Sequence, residues 1–369
     1  MKYGFRNELD LSKIPKQVWA FYHPFYGTPS GPTGSWMGWN SPLSFGLGAG
    51  HEEKLDPSLI EKLRIIARHD PERFIGPGKR RDVYCINYPA LELYDTEDKG
   101  ILKKHIEWAA EAGIDGFLID WFAEPGKEDK SHADKSMRAM LELIEKMDVD
   151  LRISVLYDAY CWGRYPVDAI INQLKYLYDT YHESGGWGRI DGEFAIFTYA
   201  TLMSHLPSDW LRIRSTLHED GYKMAIIAGE AFDGYPKKAP EVLNPECCEL
   251  FEGIQYYNVG VIEDWTEEGI RRWFSPAKDY TKKNGRFLAL PVMPGFDGRV
   301  CHHPGRVVPR QKGEFYRMSW RVAKEYNPNW ILICSWNEWG ESTIIEPSLE
   351  YGKEYLKLTR ELASNFKKP

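Results

Sequence analysis

A single (β/α)8 barrel, an α/β fold with a long first βα loop, is the architecture this sequence predicts, on three observations. Short apolar, β-branched or aromatic runs alternate with longer segments of helical period, the pattern of a parallel sheet covered by helices. Eight such strand-then-helix units follow one another with no linker and no internal repeat. No Gly-rich phosphate turn follows the first run, as an open doubly wound sheet would normally show, so closure into a barrel accounts best for the pattern. At 369 residues the chain could hold two average domains, but barrels reach this length as one when a loop is extended. Residues 1–369 are therefore read as one domain.

The eight strands are expected at Val18 to His23, Gly116 to Trp121, Arg152 to Tyr157, Phe194 to Tyr199, Met224 to Gly229, Ile254 to Tyr257, Phe287 to Val292 and Ile331 to Ser335. Helices are expected from Glu97 to Ala112, Ala133 to Met147, Val167 to Tyr181, Glu267 to Lys282, Gly313 to Lys324 and Tyr351 to Ala363, with weaker ones near Trp210 to Glu219 and Pro240 to Leu250. Between the first strand and its helix, residues 24–95 are rich in Gly, Pro and aromatics, far beyond the usual βα loop length. Because βα loops emerge on the C-terminal face of a barrel, this stretch is expected to wall or roof its mouth.

Composition narrows the function classes. Apolar residues at 43% can build a large core, and a net charge of −7 with no Lys/Arg-rich block argues against a nucleic-acid partner. The start, Met1 to Glu8, lacks the apolar run of a signal peptide, and no stretch stays apolar for the roughly 18 residues of a membrane span. A cytoplasmic protein without a membrane partner is the expectation. The six cysteines show no C-x-x-C pair and no repeated spacing, so neither a zinc ribbon nor a disulfide framework is indicated. Aromatic residues reach 14%, with 14 Trp, and flat apolar rings are what the C–H faces of sugars pack against. Trp108, Trp210, Trp273 and Trp320 fall at helical positions and read as core.

At the expected strand ends, carboxylates and aromatic rings dominate: His23 and Tyr26, Asp120 with Trp121, Tyr157 with Asp158, Tyr199, Glu230, Tyr256 to Asn258, Pro294 to Asp297, and Asn337 to Glu341. Carboxylates and amides bond sugar hydroxyls while rings stack on the pyranose face, whereas a phosphate site would call for backbone N–H nests and Arg or Lys. Asp120 and Glu230 read equally as hydroxyl ligands or as partners of Arg or Lys within the mouth, and His23 is similarly open. The densest group follows strand eight, where Trp330-Ile331-Leu332-Ile333-Cys334 breaks into Ser335-Trp336-Asn337-Glu338-Trp339-Gly340-Glu341. Residues three apart diverge along a strand but can converge across a turn, which Gly340 permits. Glycosidic cleavage generally needs one carboxyl to protonate the leaving oxygen and another as base or nucleophile, so Glu338 and Glu341 are the candidate catalytic pair. Tyr22, His23, Tyr26, Asp120, Trp121, Glu230, Tyr256, Tyr257, Asn337 and Trp339 are the candidate sugar contacts. Cys301-His302-His303 could offer metal ligands, but adjacent histidines diverge and no spaced carboxylate accompanies them, so no metal and no cofactor is expected.

At these residues the sequence resembles glycoside hydrolase family 99, the endo-α-mannosidases and endo-α-mannanases, and the related WbsX-type proteins found with polysaccharide biosynthesis. Four segments carry the likeness: Phe21 to Gly27, Tyr88 to Tyr94, Gly113 to Trp121, and Asn337-Glu338-Trp339-Gly340-Glu341 running on to Ile345-Glu346-Pro347. The resemblance implies that Glu338 deprotonates a sugar 2-hydroxyl, which attacks C1 to form a 1,2-anhydro sugar, while Glu341 serves as acid and then base. It also implies Trp121 and Tyr256 or Tyr257 near the reacting sugar. Members often carry His where this chain has Gly340, and the stretch from Trp336 to Ser342 also looks like the strand-end motif of fungal-type α-1,3-glucanases. Three functions follow: a retaining hydrolase of α-mannosides or a related polysaccharide, a WbsX-type transfer or assembly protein, and a non-catalytic sugar-binding barrel. All three take an oligosaccharide or polysaccharide.

Overall fold

The computed structural model describes residues 3–5, 8–40, 69–76, 80–159, 165–229, 243–258, 264–301 and 305–368. Its centre is a closed parallel barrel of β1 (Gln17–Tyr22), β2 (Gly116–Trp121), β3 (Arg152–Tyr157), β4 (Glu193–Thr198), β5 (Met224–Gly229), β6 (Gly253–Gln255), β7 (Phe287–Val292) and β8 (Trp330–Ile333). Each strand pairs with its sequence neighbour, and β8 returns to β1 with Val18 opposite Ile331. The ring is thinnest between β3 and β4, where only Leu156–Phe197 and Tyr157–Thr198 are paired. Around it lie α1 (Lys99–Glu111), α2 (His132–Met147), α3 (Val167–Tyr181), α4 (Pro207–Glu219), α5 (Pro245–Cys248), α6 (Glu267–Asn284), α7 (Glu314–Glu325) and α8 (Glu354–Lys367). None of these helices is long and apolar enough to cross a membrane.

Side chains alternate between two cores, as the period of a strand requires. Outward residues such as Val18, Ala20, Phe117, Ile119, Ile331 and Ile333 join the helices in one apolar layer. Inward residues such as Trp19, Phe21, Leu118, Leu156, Phe197, Ile227, Phe287, Trp330 and Leu332 fill the barrel. Trp19 and Trp330 stack in parallel with ring centroids 4.7 Å apart and plug its lower half, with Phe197 5.7 Å from Trp330. Gly116 and Gly188 make room for this plug: a Cβ on either would lie 2.6 Å or 2.4 Å from the Trp19 ring.

Local signals set the helix ends. Asp98, Ser131 and Thr266 each cap a helix by accepting a first-turn N–H. The helix expected over 240–250 is a single turn, begun by Asn244, which accepts from Cys247 N at 2.7 Å, with Pro245 at its first position; residues 240–242 lie outside the described residues. The last helix begins three residues later than expected, because Ser348 holds residues 348–352 in a turn: Gly352 N donates to its carbonyl at 2.8 Å and Tyr351 N to its hydroxyl at 3.1 Å.

The described parts of the long first loop, 24–40, 69–76 and 80–95, pack on the segment after β8. Tyr26, Trp39, Val83, Tyr88 and Tyr94 form an apolar cluster with Trp339 and Ile344. Ala90 N donates to Pro347 O at 2.9 Å and Leu349 N to Tyr88 O at 2.8 Å, so loop and segment are joined through backbone as well.

Candidate active site

The segment after β8 is a tightly closed turn. Ser335 N donates to Thr343 O at 3.0 Å, the two hydroxyls lie 2.8 Å apart, and Glu338 N donates to Ser335 Oγ at 2.8 Å. Within it, Trp339–Glu341 forms one 3-10 turn with Glu338 at its N-cap. Glu338 precedes it with ψ 79°, and the turn between the two brings the Glu338 and Glu341 side chains within interaction distance. The turn is braced on two sides. Asn337 Oδ1 accepts from His23 N at 2.7 Å and its Nδ2 donates to His23 O at 3.0 Å, tying the end of β8 to the end of β1. Opposite, Arg310 Nη2 donates to Ser342 O at 2.9 Å and Ile344 O at 2.8 Å, its guanidinium lying 4.5 Å and 4.4 Å from the Tyr351 and Tyr355 rings.

Glu338 is buried, while Glu341 is half-buried. Tyr257 Oη donates to Glu338 Oε2 at 2.7 Å, and Thr343 Oγ1 approaches the same oxygen at 3.5 Å. The Tyr257 oxygen lies 3.0 Å from His23 Nε2, which is itself 3.8 Å from Asp120 Oδ2 and 3.9 Å from Glu338 Oε2. Asn258 Nδ2 donates to Glu341 Oε2 at 3.3 Å. Burial raises the Glu338 carboxyl well above the usual carboxylate range; the neighbouring Glu341 and Asp120 add to this, while the Tyr257 hydrogen bond opposes it. Asp120 is raised likewise by burial and by Asp158. Burial pushes His23 down to about 3, so its ring is neutral. Glu338 is the more enclosed of the two carboxyls at the turn.

Of the other residues expected at the site, strand parity divides those at the mouth from those behind it. His23, Asp120 and Tyr257 continue the inward series of β1, β2 and β6 and line the mouth. Tyr22, Trp121 and Tyr256 are their outward neighbours and do not. The Tyr22 hydroxyl meets His105 Nδ1 at 3.0 Å, Trp121 lies over Tyr157 and donates to Asp134 at 3.3 Å, and Tyr256 stacks on Trp273 at 4.7 Å. Tyr26, Asn337 and Trp339 support the turn from behind: Tyr26 Oη donates to Asn337 O at 2.9 Å and accepts from Trp339 N at 3.1 Å, and Trp339 Nε1 donates to Tyr94 Oη at 3.0 Å. The Asn337 amide is spent on the His23 backbone and the Tyr94 hydroxyl, and the Trp339 ring is fully buried, so neither presents a face to a sugar. Glu230, His302 and His303 lie outside the described residues.

Of the expected strand-end residues not singled out as sugar contacts, Asp158, Tyr199 and Asn258 also lie at the mouth, and the structure adds Tyr84. The first two are the next inward positions after Leu156 and Phe197, and Asn258 follows Tyr257. Tyr84 comes from the long loop, and its ring occupies the space beside Gly340, where a Cβ would lie 2.8 Å from Tyr84 Cε1. No sequence period marks that residue. Among the described residues no group of three or more His, Cys, Asp or Glu is arranged to hold a metal ion.

A buried and a half-buried carboxyl on one turn of chain, a phenol and a neutral imidazole at the C-terminal mouth of a barrel suit proton transfer at a hydroxyl-rich ligand. The model of the family described as Glycosyl hydrolase family 99 matches residues 13–359. The glycoprotein endo-alpha-1,2-mannosidase of Mus musculus is 23% identical, covering 98% of this chain and 78% of that protein. A Homo sapiens glycoprotein endo-alpha-1,2-mannosidase-like protein is 22% identical over 96% of this chain and 76% of its own. The solved GH99 endo-alpha-mannosidase of Bacteroides thetaiotaomicron superposes with a TM-score of 0.71 at 18% identity, covering 95% of this chain and 97% of that one.

Proposed function

The chain belongs to glycosyl hydrolase family 99, and from that premise we propose that it cleaves α-linked mannosides within an oligosaccharide or polysaccharide, with retention and through a 1,2-anhydro sugar. The observation that carries this reading is the unequal pair at the mouth: an enclosed Glu338 that receives the Tyr257 hydrogen, beside a more open Glu341. Desolvation raises the proton affinity of a carboxylate, which is what removing a proton from a sugar hydroxyl demands.

In the first step Glu338 takes the proton of the 2-hydroxyl as O2 attacks C1. The bond from C1 to the leaving oxygen breaks, and Glu341 gives that oxygen its proton. In the second step Glu341 takes a proton from water as the water oxygen attacks C1. The C1–O2 bond opens, and Glu338 returns its proton to O2, so both carboxyls end as they began.

The test is release of reducing ends from a panel of α-mannan and α-glucan oligosaccharides, followed by NMR of the first-formed anomer. Cleavage of α-mannosides with the α anomer appearing first is expected. Activity on α-glucans alone, or a β anomer first, would remove the substrate or the mechanism respectively.

A further inference from the structure

Three groups from the segments beyond β8, β6 and β1 form a chain that the two carboxyls do not by themselves require: Glu338, Tyr257 and His23. With Glu338 ionised, as its role as base requires, the single phenol hydrogen is donated to Glu338 Oε2, 2.7 Å away. Toward His23 Nε2, at 3.0 Å, the phenol oxygen can therefore only accept, which places the imidazole hydrogen on Nε2. The other ring nitrogen, Nδ1, is buried and has no hydrogen-bond partner among the described residues. A second proton there would make a buried cation with no acceptor for it among the described residues, and burial itself disfavours that charge, so the ring remains neutral and donates through Nε2.

We propose that His23 is a positioning residue for the reaction: by donating Nε2–H to the Tyr257 oxygen it turns the phenol hydrogen onto Glu338 Oε2 and leaves Oε1 as the oxygen that takes the substrate proton. This rests on Glu338 acting as base. Without the His23 donor, the phenol hydrogen is free to turn to other acceptors, and the carboxylate loses a charge-assisted bond. Oε2 then competes with Oε1 for the proton. The groups facing His23 are Asp120 from β2, Tyr257 from beyond β6 and Glu338 from beyond β8. Those acting on Glu338 are Glu341, Asp120, Tyr257, Tyr26, Cys301 and Cys334. All but Tyr257 either oppose its ionisation or are neutral beside it, so the phenol is the group whose orientation matters most.

The experiment compares His23→Leu, which has no donor, with His23→Gln, whose amide N–H can replace Nε2–H. A base must be ionised, so activity falls on the acid side through the Glu338 titration, and losing the phenol bond moves that limb to higher pH. For His23→Leu a rise of about one pH unit in the acid limb of kcat/KM is expected, from a weakened hydrogen bond to a charged group. His23→Gln should restore the limb to the wild-type position. An unmoved limb in His23→Leu, or equal limbs in the two variants, would overturn the proposal, since a merely structural role lowers rate or stability at every pH. A second measurement needs neither a folded leucine variant nor a substrate: the 15N–1H spectrum of the wild-type ring, assigned by its loss in His23→Gln. The neutral Nε2–H tautomer is expected, and the Nδ1–H tautomer would overturn the proposal. Absence of mannoside cleavage would remove the functional reading while leaving this tautomer as measured.

Discussion

At the scale of single residues, Glu338 and Glu341 are expected to fail differently. Replacing either with Gln should cost about 10²- to 10⁴-fold in kcat, with ground-state binding largely kept, because each removes one proton transfer. An aryl leaving group needs little protonation, so an aryl α-mannoside should partly rescue Glu341→Gln but not Glu338→Gln; equal rescue of both would exchange or abolish the roles. The neighbours Tyr256 and Tyr257 give a sharper comparison. Tyr257→Phe deletes the hydrogen on Glu338 and should lower kcat and shift its pH profile, whereas Tyr256→Phe, behind the barrel wall against Trp273, should alter only thermal stability. Much of this division was legible in the sequence. Extending the inward series Trp19, Phe21 and Leu118 by the period of a strand selects His23 and Asp120 and rejects Tyr22 and Trp121. Listing residues by closeness to a strand end discards that parity. Asn337 and Trp339 were not separable from mouth-lining residues in this way, because the chain there has left the strand and their burial depends on a loop remote in sequence.

The turn after β8 is the element on which the site depends. Asn337→Asp would set a carboxylate oxygen against the His23 carbonyl in place of the amide donor, leaving that carbonyl unpaired in a buried place. A loss of about 3 kcal/mol in urea unfolding is expected; a change within error would show that the brace contributes nothing. Gly340→Ala would place a methyl 2.8 Å from the Tyr84 ring, and such overpacking costs about 1–3 kcal/mol. If the clash is the cause, Tyr84→Ala in the same chain should return part of that loss, giving a coupling term in a double-mutant cycle. Elements with strong local signals were readable: Val167–Tyr181 and four strands have the bounds their patterns indicate. So was one that the strand reading passed over: Asp191-Gly192, both with positive φ, joins Arg189–Ile190 to the start of β4 as an antiparallel hairpin. The packing of 80–95 on 339–349 was not readable, since no local period encodes contact between segments so far apart.

For the whole molecule, the enclosed carboxyls at the mouth set a dependence of stability on pH. Asp120 and Glu338 bind protons more tightly folded than unfolded. What they contribute is therefore complete below the ordinary carboxylate range and is lost as pH rises through their raised folded values. Asp120→Asn should accordingly stabilise the protein at pH 8 by about 1 kcal/mol or more and do little at pH 4. Denaturant unfolding of both chains at the two pH values checks this, and a gain at pH 4 equal to that at pH 8 would point to packing instead. The eightfold alternation of patterns implies closure of the barrel without any single strong motif, which is why the architecture was legible while its thin β3–β4 seam was not. The stacked indoles of Trp19 and Trp330 carry a further consequence. They make the barrel a blind well, so substrate, water and departing product share one doorway. The hydrolytic water cannot be waiting underneath and must follow the leaving sugar out of the traffic at the top. A second sugar at high concentration would queue at the same door, and transfer products should then appear alongside hydrolysis in proportion to its concentration.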